Sequence, residues 1–557
     1  MANGLPRENS FSMSRASQVG LVAVAAVLCL GMLLGGLSTP LLWADEAETV
    51  MFAEHTRIHG YPKVHGDRNV VYQFGPNIAL GVKEGPDAYI GTTWGHFYFA
   101  IPGLVWADGS DDLYTKTWRL RLPFALAGAA GLGLWLWALL PAVAEARRRC
   151  FAAAFLLSSA VSISLLLHLR EVRYYALVVL ITGAIARLQL GYRVYRTTSF
   201  RGYAVGVCLL LLLLFNTFFQ AFFAVAALLG LDWLVAKHRG RATARDLLPL
   251  LVSALLVAPL LVWFETLTTA RAFAAGFSFE WSDYAANLGA IGLHFLRHEF
   301  LAPALLCLGG LAWLRVGDAR LRAVAFRLAG FSLGFVLLGC LNPLALERYF
   351  VVLSPVVTGL FLLCAFALVE SIDAGRVASQ RRTAAIVALV LLTLLLRVPG
   401  LAAVRGRVQE IVTPVRGPLD YVIPLLQDRY ADTEKLVIAT NYEEYAFMYY
   451  LGSHTIIGLS LNNLLADRVL EPDVVVPRRR WPHSLRRLST FLREGDFEAV
   501  RLPVRDLHHN SVPALSRSRF IPDPHRFETA TTDDPDEQLV IYLRSSGSNR
   551  TGTSRRP

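Results

Sequence analysis

The sequence predicts a polytopic α-helical membrane protein of about eleven transmembrane helices, followed by a C-terminal exterior α/β domain. Two observations support this fold class. Apolar runs close to the roughly 20 residues that cross a bilayer recur up to residue 401. The chain of 557 residues is also 54% hydrophobic and only 17% charged, whereas ordinary soluble domains are about a quarter charged.

The first apolar run begins the membrane domain. Arg7 and Arg15 precede it, as in an export signal, but the run is long enough to span and no clear cleavage site follows. We therefore interpret it as an uncleaved first span. The predicted spans are Val19–Leu42, Leu122–Val143, Phe151–His168, Tyr174–Leu190, Tyr203–Phe215, Phe218–Val235, Leu247–Phe264, Phe300–Val316, Leu328–Leu346, Tyr349–Val369 and Ala384–Leu401.

The segment Gly202–Val235 decides the orientation, because each of its halves is short for a crossing. If it crosses twice, every basic cluster between spans falls on the side of Arg7 and Arg15, as cytoplasmic loops require. These clusters are Arg147–Arg149, Arg193/Arg196/Arg201, Lys237/Arg239/Arg241/Arg245, Arg315/Arg320/Arg322/Arg327 and Arg376/Arg381/Arg382. A single crossing would place the last three outside. We predict two crossings and a multi-pass protein of the cell's inner (plasma) membrane, with its N-terminus cytoplasmic.

The chain is predicted to divide into four parts. Residues 1–18 form the cytoplasmic N-terminus, and 19–401 form the membrane domain, which includes an exterior loop at 43–118 with an interfacial helix at Phe97–Trp106. Residues 402–544 form the exterior (periplasmic) domain, and 545–557 a disordered tail. Short Val/Ile-rich runs predict strands at Lys435–Thr440, His454–Leu459, Asp473–Val476, Phe497–Val504 and Gln538–Leu543.

Charge and cysteine usage exclude two classes of function. The net charge of +11 does not indicate nucleic-acid binding, because the basic residues form short clusters between apolar runs. The six cysteines lie in or beside apolar runs without CxxC spacing, which excludes a disulfide framework and argues against a cysteine zinc site. The irregularly spaced His55, His59, His65 and His96 are interpreted as solvated loop residues.

Ionisable residues collect at the exterior ends of the spans. They are Asp45-Glu46, Arg119/Arg121, Arg170-Glu171-x-Arg173, Glu265, Arg297-His298-Glu299 and Glu347-Arg348. Charged groups beside hydrocarbon pair with one another, line a watery cavity or extend to the interface. For the whole set, a polar cavity open to the exterior is favoured, although snorkelling explains any single residue equally well.

Such a cavity suits a lipid-linked phosphate. Arginine binds phosphate with a planar, permanently charged fork, and a carboxylate within reach can take a proton from an incoming hydroxyl group. Asp45 or Glu46 can supply that carboxylate. The alternative for this pair is a helix start that is favoured by the helix dipole.

Four motifs, in order, resemble a known family. The first is Ala44-Asp45-Glu46-Ala47 after the first span, and the second is Arg121-Leu122-Pro123, where the chain re-enters the membrane. The third is Arg170-Glu171-Val172-Arg173-Tyr174-Tyr175, at the start of the fourth span, and the fourth is Glu347-Arg348-Tyr349 followed by Ser354-Pro355. A Tyr-Tyr-Leu-Gly element at 449–452 also fits. The chain resembles the glycosyltransferase C superfamily, in the branch of protein O-mannosyltransferases, aminoarabinose transferases and related bacterial enzymes.

The resemblance implies a role for each motif residue. Asp45 would be the base that activates the acceptor, with Glu46 orienting the acceptor or holding the sugar. Arg348 and Tyr349 would hold the carrier phosphate, together with Arg173 or Arg170, unless Arg348 is only an interfacial anchor. Glu171, Tyr174 and Glu347 are candidate substrate contacts. We expect Asp45 and Arg348 to lie within about 10 Å, a distance that a sugar phosphate bridges.

The resemblance also implies the reaction and its partners. The donor would be a polyprenyl-phosphate-linked sugar, and the acceptor a lipid, glycan or protein outside the membrane. No cofactor is expected, and a divalent metal is left open. One departure concerns Gly91–Phe97, where family members often have a Pro-rich segment, so Glu84 and Asp87 have no motif support as a second carboxylate.

Two rival functions remain. A transporter or flippase of lipid-linked glycans would also need arginines, but it should show broken helices near mid-membrane and a repeat that relates its halves. A mere membrane anchor for the C-terminal domain would need far fewer than eleven spans.

Overall fold

The computed structural model describes residues 14–66, 68–71, 81–83, 85–268, 271, 280–314, 318–343, 345–373, 398–457, 470–479, 485–506 and 531–545. Within them, a bundle of apolar helices precedes a small sheet. The helices up to the middle of the bundle are α1 Arg15–Leu34, α2 Ala44–His59, α3 Gly95–Asp108, α4 Leu113–Leu139, α5 Arg148–Ser159, α6 Ile163–His168, α7 Tyr175–Leu190, α8 Phe200–Thr217 and α9 Phe219–His238.

The second half of the bundle continues the same pattern. It contains α10 Leu248–Trp263, α11 Trp281–His298, α12 Leu301–Leu314, α13 Ala319–Gly339, α14 Leu353–Asp373 and α15 Val398–Val412. In the described ranges, eight helices are long and apolar enough to cross a membrane, or up to nine if α11 and α12, which meet at 82°, form one broken span. Most of the predicted eleventh span, Ala384–Leu401, lies outside the described residues, so the count of eleven stays a prediction.

Several predicted spans differ from the structure in their bounds. Helix α4 begins nine residues before the predicted Leu122, and α13 begins nine residues before the predicted Leu328 and ends seven before Leu346. The first helix ends at Leu34, eight residues before the predicted Leu42, because Gly35 is extended and Gly36 adopts a left-handed φ of 63° that stops the helix. The predicted span Phe151–His168 is two helices, α5 and α6. Ser162 begins the second of them by accepting a hydrogen bond from a main-chain N–H group.

The segment Gly202–Val235 forms two helices, as predicted. The chain turns at Phe218, whose extended backbone separates α8 from α9. Residues of three predicted basic clusters, among them Arg193, Arg239 and Arg320, line one cavity. These clusters therefore lie at the same end of the bundle, which two crossings require and a single crossing forbids.

Close helix packing organises the bundle, with the most extensive contact between α4 and α7. A Cβ atom added to Gly131 would lie 2.7 Å from the main-chain nitrogen of Leu180, and one added to Gly183 would lie 3.1 Å from the carbonyl oxygen of Gly131. Small residues at such crossings let membrane helices approach closely. All six cysteines lie in the described residues and are unpaired.

The loop between α1 and α4 has its own structure. It contains α2, α3 and a short hairpin of β1 Val82–Lys83 and β2 Ala88–Tyr89. The helix predicted at Phe97–Trp106 is present as α3, and it packs against α2.

The five strands predicted after the bundle all form. They are β3 Val437–Thr440, β4 His454–Ile457, β5 Val474–Val476, β6 Phe497–Arg505 and β7 Gln538–Arg544, in the order β4-β3-β5-β7-β6. The pairings of β3 with β4 and β5 are parallel, and those of β7 with β5 and β6 are antiparallel. The helices of this region are α16 Leu419–Arg429, α17 Glu444–Leu451 and α18 Arg486–Glu494.

The C-terminal region is joined to the loop that carries the Asp-Glu pair. Asn69 donates a hydrogen bond to the carbonyl of Ser453 (2.9 Å) and accepts one from the amide of Thr455 (2.9 Å). Helix α17 packs against α2. The sheet region therefore fixes the position of the helix that begins beside Asp45.

Candidate active site

A linker, residues 35–43, leads from α1 to the acidic pair. It exposes a series of main-chain carbonyls that no helix satisfies. Three arginines donate hydrogen bonds to these carbonyls. Arg121 donates to Leu37 and Pro40, and Arg170 donates to Gly35, Gly36 and Thr39. Arg407 donates to Gly35 and also to Met32, in the last turn of α1. Positive charge at the C-terminal end of a helix also complements its dipole. These arginines hold the linker in place.

The C-terminal region fixes the last residues of the linker. The amide of Leu41 donates to a carboxylate oxygen of Asp420 (3.2 Å), and the amide of Leu42 donates to the hydroxyl of Tyr450 (3.1 Å). Trp43 is buried against Tyr442. The chain thus enters α2 along one defined path, and Asp45 occupies the first turn of that helix.

Asp45 and Glu46 point in different directions, because consecutive side chains on a helix do not face each other. Glu46 is 0% exposed. Its carboxylate accepts two hydrogen bonds from Arg121, at 2.8 and 2.5 Å, and a third from the amide of Val172 at 3.0 Å. All of these contacts lie within the protein framework, so Glu46 ties α2 to α4 and to the turn before α7.

Asp45 lies between two arginines. Its Oδ2 is 3.2 Å from Nη2 of Arg348 and 3.6 Å from Nη2 of Arg173. The side chain of Asp45 keeps 26% of its surface exposed, whereas those of Arg348 and Arg173 keep 9% and 11%. The carboxylate therefore faces an opening that the two guanidinium groups border.

Arg348 has hydrogen-bonding capacity left over. It stands on a 3₁₀ turn, Glu347–Phe350, before α14. Its guanidinium carbon is 5.0 Å from the ring centre of Trp43 and 5.9 Å from that of Tyr349, which allows cation–π attraction. Its Nε and Nη1 are buried and make no hydrogen bond to any residue that the structure describes. A buried hydrogen-bond donor without an acceptor costs free energy. A bound anion would supply acceptor oxygens for the donors of Arg348.

The structure separates the two arginines of the Arg-Glu-Val-Arg motif. Arg173 lies beside Asp45, while the recorded hydrogen bonds of Arg170 within the described residues go to the linker carbonyls. Arg173 is held by Glu48, whose Oε2 is 2.9 Å from its Nη1. Only Arg173 is placed to contact a ligand bound at Asp45.

The predicted substrate contacts Glu171, Tyr174 and Glu347 lie beside Asp45 and its two arginines. Glu171 lies 3.1 Å from Nδ1 of His168, and Glu347 lies 3.9 Å from Nε2 of the same ring. Tyr174 stacks on Phe218, with ring centres 4.3 Å apart. Glu171 lies two residues before Arg173 and Glu347 directly before Arg348, but the recorded ion-pair contacts of both carboxylates are with His168.

Several further residues beside Asp45 were not predicted from the sequence. Glu48 follows Asp45 by three positions, a spacing that places both on one helix face and could have revealed it. Burial raises the pKa of Glu48 to about 7 against the opposing charge of Arg173. Burial likewise raises the pKa of Glu444 on α17 to about 7, and the nearby charge of Glu48 adds to the effect. No local pattern marks Glu444, which is brought here by the C-terminal fold.

Two histidines that were interpreted as solvated are in fact buried. His96 is 0% exposed, and burial together with the charge of Arg173 holds its pKa well below 6.5. His55 is 8% exposed and bonds through Nδ1 to the carbonyl of Lys63. Asp87 pairs with His65 at 2.6 Å, and Glu84 lies outside the described residues. In the described parts of the chain, no three His, Cys, Asp or Glu side chains gather as metal ligands.

Comparison with known proteins supports the fold. No protein-family model matches the chain, and no curated protein matches it. ArnT from Cupriavidus metallidurans bound to undecaprenyl phosphate superposes with a TM-score of 0.50 at 13% identity, covering 96% of this chain and 99% of that one. The chain has the glycosyltransferase C fold. This confirms the fold class implied by the four motifs.

Two further solved structures are similar to the chain. The apo state of the same ArnT gives a TM-score of 0.49 at 13% identity, over 95% of this chain and 98% of that one. An Archaeoglobus fulgidus oligosaccharyltransferase in complex with Zn and sulfate gives 0.46 at 14% identity, over 80% of this chain and 62% of its own. The fold rests on the likeness to the ArnT structure bound to undecaprenyl phosphate.

Proposed function

We propose that this chain is a membrane glycosyltransferase that moves a sugar from a polyprenyl-phosphate carrier to an acceptor on the exterior side of the membrane. The acceptor is a lipid, a glycan or a protein. The observation that supports this most is the partly exposed carboxylate of Asp45 between Arg348 and Arg173, in a helical bundle with the glycosyltransferase C fold. A solved protein of this fold is bound to undecaprenyl phosphate.

The two arginines bind the carrier phosphate. Nε and Nη1 of Arg348 have no hydrogen-bond partner among the described residues. Either of them forms a fork with Nη2, the nitrogen that faces Asp45, and such a fork fits a phosphate with two parallel hydrogen bonds. When the phosphate enters, the arginines exchange part of their contact with Asp45 for contact with its oxygens. The buried charges then stabilise the negative charge that grows on the phosphate as the sugar leaves.

Asp45 acts as the base. The acceptor hydroxyl or amine attacks the anomeric carbon of the sugar from the face opposite the phosphate, and Asp45 takes its proton. The bond between that carbon and the phosphate oxygen breaks, and the phosphate leaves with the bonding electron pair. The configuration at the sugar carbon is inverted. No nucleotide sugar takes part.

Other residues position these groups. Glu46 and Arg121 fix the start of α2, while Glu48 holds Arg173. Arg170 holds the linker rather than the phosphate. Tyr349 and Tyr174 both contact the ring of Phe218 at the end of the α8–α9 hairpin, and they form the aromatic wall on which the sugar or the first prenyl units rest.

A transporter would instead bind its substrate at broken helices near mid-membrane. A broken span exists at α11–α12, but Glu299 at the break bonds to Ser162 and Ser164, at the start of the six-residue helix α6. That helix ends at His168, which contacts the Glu171 and Glu347 group. The break is therefore linked through α6 to the buried groups beside the proposed site.

A donor screen tests the proposal. Purified protein in lipid bilayers is incubated with polyprenyl-phosphate sugars labelled in the sugar, and the label is followed by chromatography. The glycosyltransferase proposal expects the carrier phosphate to be freed and the label to appear in an acceptor. Sealed vesicles in which intact labelled donor crosses the bilayer, without release of carrier phosphate, would instead support transport and overturn the proposal.

A further inference from the structure

A cavity lies at the end of the bundle opposite Asp45. Its volume is about 970 Å³, and it lies between α7, α9 and α13. The stretch from Tyr175, beside the proposed active site, to Arg193, which lines this cavity, is helical throughout. At 1.5 Å per residue these two positions are roughly 27 Å apart. The cavity is therefore on the opposite membrane face from Asp45.

The walls of this cavity change from apolar to basic. Trp135, Ile185, Val225, Leu228 and Phe331 line its apolar part. Seven arginines and a single aspartate line the rest. A lining with this excess of positive charge selects an anion, and its apolar wall selects a hydrocarbon group attached to that anion.

A polar cluster closes the inner part of the cavity. Asp232 accepts a hydrogen bond from Nε2 of Gln189 (2.6 Å) and pairs with Arg327 at 2.9 Å. Asp232 is six residues from the end of α9 and Arg327 eight residues from the start of α13, which places them about 9 and 12 Å inside those helix ends. Ionisable groups at such depth mark functional sites more often than simple anchoring.

Several polar atoms that line the cavity have no partner. Arg193 and Gln189 are more than nine-tenths buried. Nη1 of Arg193 pairs with Asp246 at 3.2 Å and Nε2 of Gln189 with Asp232, yet Nε of Arg193 and Oε1 of Gln189 make no hydrogen bond to the described residues. Nearer the mouth, Arg241 and Arg320 are exposed and have no recorded ion pair in the described part of the chain. Snorkelling accounts for the exposed arginines but not for the buried polar atoms behind them.

We propose that this cavity binds the phosphate headgroup of a membrane lipid on the face opposite the active site. Arg241 and Arg320 meet the phosphate at the mouth, while Arg193 and Gln189 meet the polar part of the lipid inside. The hydrocarbon chain lies along the apolar wall formed by Ile185, Val225 and their neighbours. The site takes no part in the proposed transfer reaction and does not depend on it.

Native mass spectrometry of the full chain tests this site. The protein is purified in a neutral detergent and mixed with phosphatidylglycerol, with phosphatidylcholine, or with inorganic phosphate alone. We expect it to retain phosphatidylglycerol specifically, and the double variant Arg241→Ala/Arg320→Ala to bind that lipid roughly 30-fold more weakly, as expected for the loss of two arginines near an anionic headgroup. Arg201→Ala, which removes an exposed arginine at the same end of the bundle but outside the cavity, should bind as the wild type does.

Thermal unfolding gives a second readout. Phosphatidylglycerol should raise the melting midpoint of the wild type and of Asp45→Asn, but much less that of the double variant. Retention of phosphatidylcholine equal to that of phosphatidylglycerol would overturn the proposal. So would equal stabilisation by inorganic phosphate, because it would show that no lipid chain is needed, or an unchanged lipid affinity in the double variant.

Discussion

Replacement of Arg348 by alanine tests the phosphate-binding part of the mechanism. Two of its guanidinium nitrogens are buried without a hydrogen-bond partner in the described structure, and a bound phosphate would use one of them together with Nη2, which faces Asp45. Each charge-assisted hydrogen bond contributes about 1.5–3 kcal/mol, so the loss of two costs about 3 kcal/mol at the lower end. That corresponds to roughly 150-fold weaker binding of the carrier.

The measurement is the dissociation constant of a polyprenyl phosphate for purified protein in lipid nanodiscs. Arg348→Lys keeps the charge but loses the fork, so we expect it to weaken binding by about tenfold, between the wild type and Arg348→Ala. Arg57→Ala is the matched control, because Arg57 is an exposed arginine on the same helix as Asp45 and pairs with Asp108. A dissociation constant for folded Arg348→Ala within twofold of wild type would refute the assignment.

Three further perturbations test the framework around the site. Arg121→Ala leaves the fully buried Glu46 without its partner, and should lower the free energy of unfolding by about 3–5 kcal/mol; an unchanged melting midpoint would contradict this. The pKa of Glu48 is raised from 4.5 to about 7, so the folded state binds the proton more tightly and stability should fall as the pH rises from 4.5 to 7. In Glu48→Gln, melting midpoints measured across that window should fall less than in the wild type. Gly131→Val forces a Cβ atom to within 2.7 Å of main chain in α7 and should cost about 1–3 kcal/mol in thermal unfolding, whereas Gly133→Val, with nothing within 4 Å, should cost far less.

The sequence predicted that Asp45 and Glu46 belong to the site, but not which of the two carboxylates faces the opening. Asp45 and Glu46 are adjacent, and which of them faces the opening depends on where α2 begins and on how that helix is rotated. Both are set by the linker, whose carbonyls are held by arginines distant in sequence, such as Arg407. No local pattern reports such contacts. The spacing of Glu48, three residues after Asp45, was the one local signal that remained unused.

The topology was easier to predict than the site. The placement of the basic clusters on one side of the membrane correctly predicted two helices in Gly202–Val235, because the distribution of Lys and Arg between spans is a property of the linear sequence. The exact end of the first helix was missed, since hydropathy continues to Leu42 while the left-handed Gly36 ends the helix earlier. Glu444 reaches the site through a sheet that is formed almost 400 residues after Glu48. Contacts of that separation require the fold.

The central claim is that Asp45 removes a proton from the acceptor during sugar transfer. The most direct test is the rate of transfer by Asp45→Asn, once a labelled donor has been found. The amide is nearly the same size but cannot accept the proton, and loss of a positioned base typically costs 10²–10⁴-fold in rate. We expect that loss with folding, membrane insertion and carrier binding preserved. Full transfer activity in Asp45→Asn would contradict the account.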